Sequence, residues 1–297
     1  MVLDTPSLYF RAFYGIPESI MAPDGSPVNA VRGLIDMIAT LVRKHSPAEL
    51  AATMDADWRP AFRVAAIPTY KAHRVAHGNT EVVPDALVPQ IAVIQEVLDA
   101  LGIARLESAG YEADDVIGTL THRSGGAVDI VTGDRDLFQL VDDARPVRVL
   151  YTARGIRNLQ IVDEAFVTAK YGVPGRAYAD FATLRGDPSD GLPGVSGVGE
   201  KTAAALITRF GSLEALLEAL DAGVTDGFPA GSRTRLATAR DYLSAAPAVV
   251  KVAHDAPLPA ADLALPAKPR DPEALVRLAD RYGLDGPLNR LLDVLGG

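Results

Sequence analysis

Three short apolar runs in this chain each end at or next to an aspartate: 1–3 before Asp4, 50–54 before Asp55, and 128–132 before Gly133 and Asp134. Runs this short, separated by stretches of helical periodicity, read as parallel strands, because parallel neighbours need a long crossover and cannot be joined by a tight turn. Residues 28–42 (VNAVRGLIDMIATLV) have apolar positions at helical spacing and supply the first crossover. In open sheets of this kind ligands bind beyond the carboxyl ends of the strands. Three strands that each deliver an acid to that edge would therefore make one cluster. Asp is common in turns after strands for local reasons, so the recurrence carries the argument and no single residue does.

Residues 111–140 add two denser groups. Glu112, Asp114 and Asp115 open a pattern in which Val116, Ile117 and Leu120 have helical spacing, and Asp134 and Asp136 leave the third strand. Acids in a first helical turn are favourable without any ligand. The chain has no Cys and only 5 His among 297 residues, which excludes disulfides and thiolate zinc sites. A metal here would rest on carboxylate oxygen or the few His residues, and hard cations such as Mg²⁺ or Mn²⁺ fit best. With 48% hydrophobic residues the chain can bury a sizeable core, and its length suggests two parts.

A net charge of -9 and a pI near 5.1 argue at face value against a nucleic-acid partner. That inference weakens when the acids are gathered around bound cations, which invert the local field. Residues 58–80 contain no Asp or Glu but carry Arg59, Arg63, Lys71 and Arg74 among Trp58, Phe62 and Tyr70. This is the footprint of a phosphate-backbone contact, with a solvated basic face as the plain alternative. Pro60, Pro68, Pro84 and Pro89 divide the region into short helices.

Further helices are expected over 87–100, 162–171, 178–184 and 202–220, the last interrupted at Gly211. Asp187 and Asp190 stand just before a turn containing Gly194, Gly197 and Gly199, after which Glu200 begins a helix. Such glycines let backbone N–H groups approach a phosphate at a helix N-terminus, although the spacing matches neither a Walker loop nor GxGxxG. Residues 255–272 read as a Pro- and Ala-rich strap, and 273–295 as helix without chemistry. No apolar run reaches the roughly 18 residues of a membrane span, and the start of the chain lacks leader features, so the expected location is cytoplasmic.

Taken in order, LDTPSLYFRAF, MDADWRPAFR, YKAHR, YEADDVIGTL, VTGDRDLFQLV and GDPSDGLPGVSGVGEKTA closely resemble the flap endonuclease and 5′ exonuclease family. The likeness is strongest to the exonuclease domain attached to bacterial DNA polymerase I, here free-standing. It runs from Asp4 to about residue 220, with Gly191 where Asn is usual and Met54 where Phe is usual, and loosens after about 223.

The resemblance implies an α/β fold, PIN/resolvase-like, with a central mostly parallel sheet flanked by helices. It also implies a helical arch at about 58–90 and a helix-hairpin-helix subdomain, dividing the chain into a nuclease core, 1–185, and a DNA-binding unit with C-terminal helices, 186–297. The implied activity is structure-specific 5′ nuclease action at 5′ flaps and 5′ ends of duplex DNA, in replication and repair, by two-metal-ion catalysis.

The family's metal carboxylates map onto Asp4, Asp55, Glu112, Asp114, Asp115, Asp134, Asp136, Asp187 and Asp190, for two or more Mg²⁺ or Mn²⁺. Asp55 and Asp114 are expected to lean to one ion and Asp134, Asp136, Asp187 and Asp190 to the other, with Asp4, Glu112 and Asp115 bridging the ions or standing behind their ligands. Lys71 and Arg74 would neutralise the scissile phosphate, Tyr70 would stack on a base or sugar, and Arg11 would meet a phosphate. Gly197, Gly199, Lys201 and Thr202 would hold the duplex, with K⁺ on carbonyls at Gly194 and Val198. The implied partners are flap DNA and a separate polymerase or ligase, with a monomeric protein and no membrane.

Two other readings compete. A PIN-type metal-dependent ribonuclease shares strand-end acids but is usually much shorter and lacks the GVSGVGEKTA hairpin. A non-catalytic structure-specific DNA-binding protein would have lost acids, and none of the matched positions is lost.

Overall fold

The computed structural model describes residues 1–78 and 80–296. Its strands in chain order are β1 (Val2–Asp4), β2 (Ala51–Thr53), β3 (Val75–His77), β4 (Thr80–Glu81), β5 (Ala104–Leu106), β6 (Val128–Thr132), β7 (Val147–Tyr151) and β8 (Gln160–Val162). Six of them form one sheet in the order β5-β2-β1-β6-β7-β8, parallel throughout except for β8, which runs antiparallel to β7. β1 and β2 are buried along their whole length, as expected of strands covered on both faces.

The chain leaves β1 towards β2 and β5, then returns to place β6 on β1's other side. The strand order therefore reverses between β1 and β6, and the loops beyond their carboxyl ends diverge into a crevice. The acids of the first and third apolar runs lie at that crevice.

Helices α1 (Thr5–Gly15), α2 (Asn29–His45), α3 (Ala61–Ala66), α4 (Val88–Leu101) and α5 (Ala113–Arg123) lie among the first strands. One face of the sheet carries a core of Leu3, Leu34, Ile38, Ile94 and Leu98. The other carries Ile130, Val149 and Phe138, and this core continues without a break through Tyr178, Phe181 and Leu206 of the helical part. That part comprises α6 (Glu164–Tyr171), α7 (Tyr178–Arg185), α8 (Glu200–Phe210), α9 (Leu213–Asp221), α10 (Ser232–Thr238), α11 (Arg240–Ala245) and α12 (Pro247–Val250).

An extended strap then runs back along the sheet, with Leu50 N–H donating to Leu263 O at 2.8 Å and Leu265 N–H to Ala48 O at 3.0 Å. It delivers α13 (Pro272–Tyr282) onto α4 and α14 (Asp285–Leu295) onto α2. The C-terminal helices expected in the 186–297 unit thus complete the core of the first unit: Leu275, Leu288 and Leu291 belong to the same cluster as Leu3 and Ile38.

The arch expectation also needs correction. Residues 58–90 hold the six-residue α3, one 3-10 turn (Ala72–Arg74) and the hairpin β3–β4, with only the start of α4 at their end. Pro68 and Pro84 flank the 3-10 turn and the hairpin, and Gly78 at φ +60° follows Val75–His77, which like Thr80–Glu81 contains a β-branched residue that favours strand. Among the described residues no helix is long and apolar enough to cross a membrane.

Candidate active site

Asp4 ends β1 and N-caps α1, its Oδ1 accepting from Ser7 N at 3.1 Å while Oδ2 accepts from Thr132 Oγ1 at 2.5 Å. One side chain thereby ties together the ends of β1 and β6. Asp55 follows β2 and accepts the Ala113 N–H at 2.7 Å, which fixes it against the start of α5. Glu112 is the N-cap of α5 and Asp114 lies in its first turn. Asp134 accepts the Asp136 N–H at 2.8 Å in the turn after β6, and Asp187 accepts the Ser189 N–H at 2.8 Å in the loop after α7. On Asp55, Asp134 and Asp187 the capping and turn bonds use Oδ1 alone, whereas both oxygens of Asp4 and of Glu112 are engaged.

Asp4, Asp55, Glu112, Asp114, Asp134, Asp136 and Asp187 line one cavity of about 360 Å³ together with Lys71 and Arg74. Crowding is visible in their acidities. Burial, then the neighbouring Asp134, pushes Asp4 up to about 6, against hydrogen bonds that pull it down. Burial and the Glu112 charge push Asp55 up to about 7. Burial and then Asp134 raise both Asp114 and Asp136 well above the usual carboxylate range. For Lys71 burial works against the charge, but Glu112 together with Tyr70, Asp190 and Asp55 outweighs it and keeps the ammonium strongly held.

Every donor that lines the cavity with a negative charge is a carboxylate, and no His is among them. Uncompensated like charges hold one another in the neutral form, so the set fits hard dications that would replace those protons. Among the described residues no three carboxylate or His side chains stand close enough together to form a complete cage by themselves.

Asp190 is outside the lining but adjacent: it pairs with Arg74 at 2.8 Å and helps to raise Asp136. Its backbone carbonyl accepts from Lys71 N at 2.9 Å, and the Gly191 carbonyl accepts from Thr69 Oγ1 at 3.0 Å. The basic segment is thus latched to the loop that carries Asp187. Lys71 itself bonds Glu112 Oε2 and adopts a left-handed backbone at φ +47°.

One expectation narrows, with Asp115 standing behind the ligands, and one is overturned, the stacking role of Tyr70. Asp115 is not in the cavity: it is fully buried, and both of its oxygens are engaged by the Arg63 guanidinium at 2.8 and 2.7 Å. Tyr70 is buried beneath the Lys71 ammonium, its hydroxyl donating to Glu112 Oε1 at 2.7 Å, so its ring has no free face for a base. Arg11 is half-buried beside the Gly133 turn, outside the cavity lining.

In the glycine hairpin, Gly197, Gly199 and Lys201 are exposed and Thr202 half-buried at the start of α8, while Gly194 and Val198 are buried. Gly194 has φ +65°, and a Cβ there would stand 2.5 Å from Arg185 O. The Gly197 carbonyl accepts from Arg235 Nη1 at 2.9 Å.

Sequence reasoning did not single out Phe10, Glu81 and Ser189, which also line the cavity. Glu81 carried one available signal, as the first acid after the acid-free segment 58–80.

Residues 1–172 match the family described as 5′-3′ exonuclease, N-terminal resolvase-like domain, and residues 173–273 match 5′-3′ exonuclease, C-terminal SAM fold. The chain belongs to the 5′-3′ exonuclease family. A relative named 5′-3′ exonuclease in Streptomyces coelicolor is 60% identical over 300 residues, covering 99% of each chain. This exonuclease is also 46% identical over 226 residues to DNA polymerase I of Mycobacterium bovis, spanning 75% of the present chain and 24% of that protein. By shape it is similar to the phage T5 flap endonuclease solved as a pseudo-enzyme-product complex with DNA and metal ions. The TM-score is 0.66 at 16% identity, over 100% of this chain and 99% of that one. At that identity the likeness establishes fold alone, and the family assignment rests on the sequence matches.

Proposed function

We propose that this exonuclease hydrolyses DNA phosphodiester bonds at 5′ ends and at the junction of a 5′ flap with duplex, in DNA replication and repair. The observation that carries this is the convergence of eight carboxylates from separate segments on one cavity with Lys71 and Arg74. Two or more Mg²⁺ or Mn²⁺ ions would be held by Asp4, Asp55, Glu112 and Asp114 on one side and by Asp134, Asp136, Asp187 and Asp190 on the other. Such ions supply a nucleophile at neutral pH and offset charge on the attacking and leaving oxygens.

The chain's own groups do the rest. Lys71 and Arg74, tied to Glu112 and Asp190, exchange those partners for oxygens of the scissile phosphate and stabilise the charge that grows there. The exposed turn Gly197 to Gly199, with Lys201 and Thr202 at the N-terminus of α8, grips a duplex phosphate without reading bases. K⁺ at the carbonyls of Gly194 and Val198 would complete that grip. Arg11 is assigned to a phosphate at the cavity's margin.

The phage T5 structure contains DNA and metal ions, and Rad2 was solved with DNA substrate, which supports DNA as the partner. A separate polymerase or ligase is the proposed protein partner, and the polymerase is suggested by the match to 24% of DNA polymerase I. The protein is proposed to act as a monomer at the nucleoid, with its duplex grip in the unit that follows residue 185.

The test is cleavage with Mg²⁺ of a labelled 5′-flap DNA beside single-stranded RNA. The flap should be cut at its junction, and Asp134→Asn or Asp136→Asn should abolish cutting while binding to DNA persists. Wild-type rates in both variants would remove the metal assignment, and preferential cutting of RNA would remove the substrate.

A further inference from the structure

The two carboxylate groups of the site sit on different segments: Glu112 and Asp114 at the start of α5, and Asp134 and Asp136 after β6. Behind each stands a polar side chain that the cavity does not expose, and both side chains grip the same short piece of chain, residues 249–253.

Behind the first group is Asp115. Its Oδ2 accepts from Glu112 N at 3.1 Å and from Arg63 Nη1 at 2.8 Å, and its Oδ1 accepts from Arg63 Nη2 at 2.7 Å and from Ala253 N at 2.8 Å. Arg63 also approaches Glu112 Oε1 at 3.1 Å and donates through Nε to Val249 O at 3.1 Å. Behind the second group is Gln139, whose Nε2 donates to Asp136 O at 2.8 Å and to Val250 O at 3.0 Å, and whose Oε1 accepts from Val252 N at 3.1 Å.

Backbone groups of a single five-residue stretch therefore hold the supports of both acidic groups. The fit to α5 is close: a Cβ on Gly118 would lie 2.5 Å from Ala253 O, so glycine is needed there for the stretch to lie flat on the helix. Asp115 and Arg63 are both buried and paired with each other, and sliding the stretch would strip that pair of the bonds it makes to Ala253 N–H and to the Val249 carbonyl.

We infer that residues 249–253 act as a brace that sets the gap between the two carboxylate groups, with Asp115 and Gln139 as its positioning residues. The inference rests on the two-ion reading above, because a fixed gap between the groups is a fixed gap between the ions they hold. Asp115 is thus a support for Glu112 and contributes no oxygen to a metal.

The test uses Gln139→Met, which keeps side-chain length and loses all three hydrogen bonds, and Asp115→Asn. Mn²⁺ binding is measured by calorimetry on the DNA-free protein, and kcat and KM on the 5′-flap substrate, after circular dichroism has established that each variant is folded. Both variants should bind as many Mn²⁺ equivalents as wild type, about 10-fold more weakly, and lose kcat by about 10- to 100-fold. KM should stay within about twofold.

A wild type that binds no Mn²⁺ or cuts no flap brings down the parent reading. With wild type active, a Gln139→Met protein whose isotherm and kcat are unchanged overturns the brace alone. Loss of a whole Mn²⁺ equivalent in Asp115→Asn would make that residue a ligand and overturn its supporting role. If Asp115→Asn does not fold, Gln139→Met decides.

Discussion

Replacing Asp55 with Asn should stabilise the metal-free protein at pH 8 and destroy its function. Asp55 is raised from 3.8 to about 7 by burial and the nearby Glu112 charge. A difference of that size corresponds to about 4 kcal/mol between the protonated and ionised forms. The open cavity admits water to one face of the carboxyl, and screening reduces the expected effect to about 2 kcal/mol.

A carboxyl that binds its proton more tightly when folded than when unfolded makes the folded state lose stability as it ionises. The penalty is absent below the unfolded value of 3.8, grows with rising pH, and is complete above about 7. Asn keeps the oxygen that accepts from Ala113 N and carries no charge. In urea titrations with EDTA, Asp55→Asn should therefore exceed wild type by about 2 kcal/mol at pH 8, and the gap should close as the pH falls towards 3.8. Added Mg²⁺ should stabilise wild type more than the variant, because the ion binds the folded form of the intact site. An Asn variant no more stable than wild type at pH 8 in EDTA would refute the account of a strained, crowded carboxylate cluster.

Lys71→Ala should lower kcat on flap DNA by about 10²- to 10³-fold with a smaller change in KM, as expected for a cation that acts on developing charge; single-turnover kinetics at saturating enzyme would measure it. Gly191→Ala should cost about 1–3 kcal/mol by thermal unfolding, since Gly191 has φ +73° and a Cβ would stand 2.3 Å from Thr69 O. The same variant should loosen the basic segment from the Asp187 loop, read as faster amide exchange at Lys71, whose N–H bonds Asp190 O.

The sequence displayed most of the fold through local rules. The run Val128–Thr132 is a strand at those residues, and residues 28–42 and 87–100 fall within or beside Asn29–His45 and Val88–Leu101. Strands β5 and β8 escaped notice because three residues at a sheet edge carry too little periodicity to stand out. The hairpin of Val75–His77 and Thr80–Glu81 was hidden because Pro60, Pro68, Pro84 and Pro89 suggested short helices. Its pairing depends on a register that no local pattern announces.

The site divides in the same way. Acids at strand ends and in a first helical turn are legible because the backbone geometry that places them is local. Asp114 and Asp115 are neighbours of the same type, and nothing in the sequence says which faces the cavity. The burial of Arg63 against α5 and Val249 decides it, since a guanidinium at 2.7 and 2.8 Å takes both oxygens of Asp115. Tyr70 likewise lost its proposed role to packing, with its ring enclosed and its hydroxyl on Glu112.

The sequence by itself determined the class of fold, the oxygen-only chemistry and the family, because periodicity, composition and ordered motifs are properties of short stretches. Only the tertiary structure decided which carboxyls share a cavity, which one is a support, and that residues 249–253 reach back to hold both acidic groups. Those outcomes depend on contacts between residues more than a hundred positions apart, such as Ala253 with Asp115 and Val250 with Gln139. Such partners are chosen by burial and by the cost of leaving a buried charge unpaired.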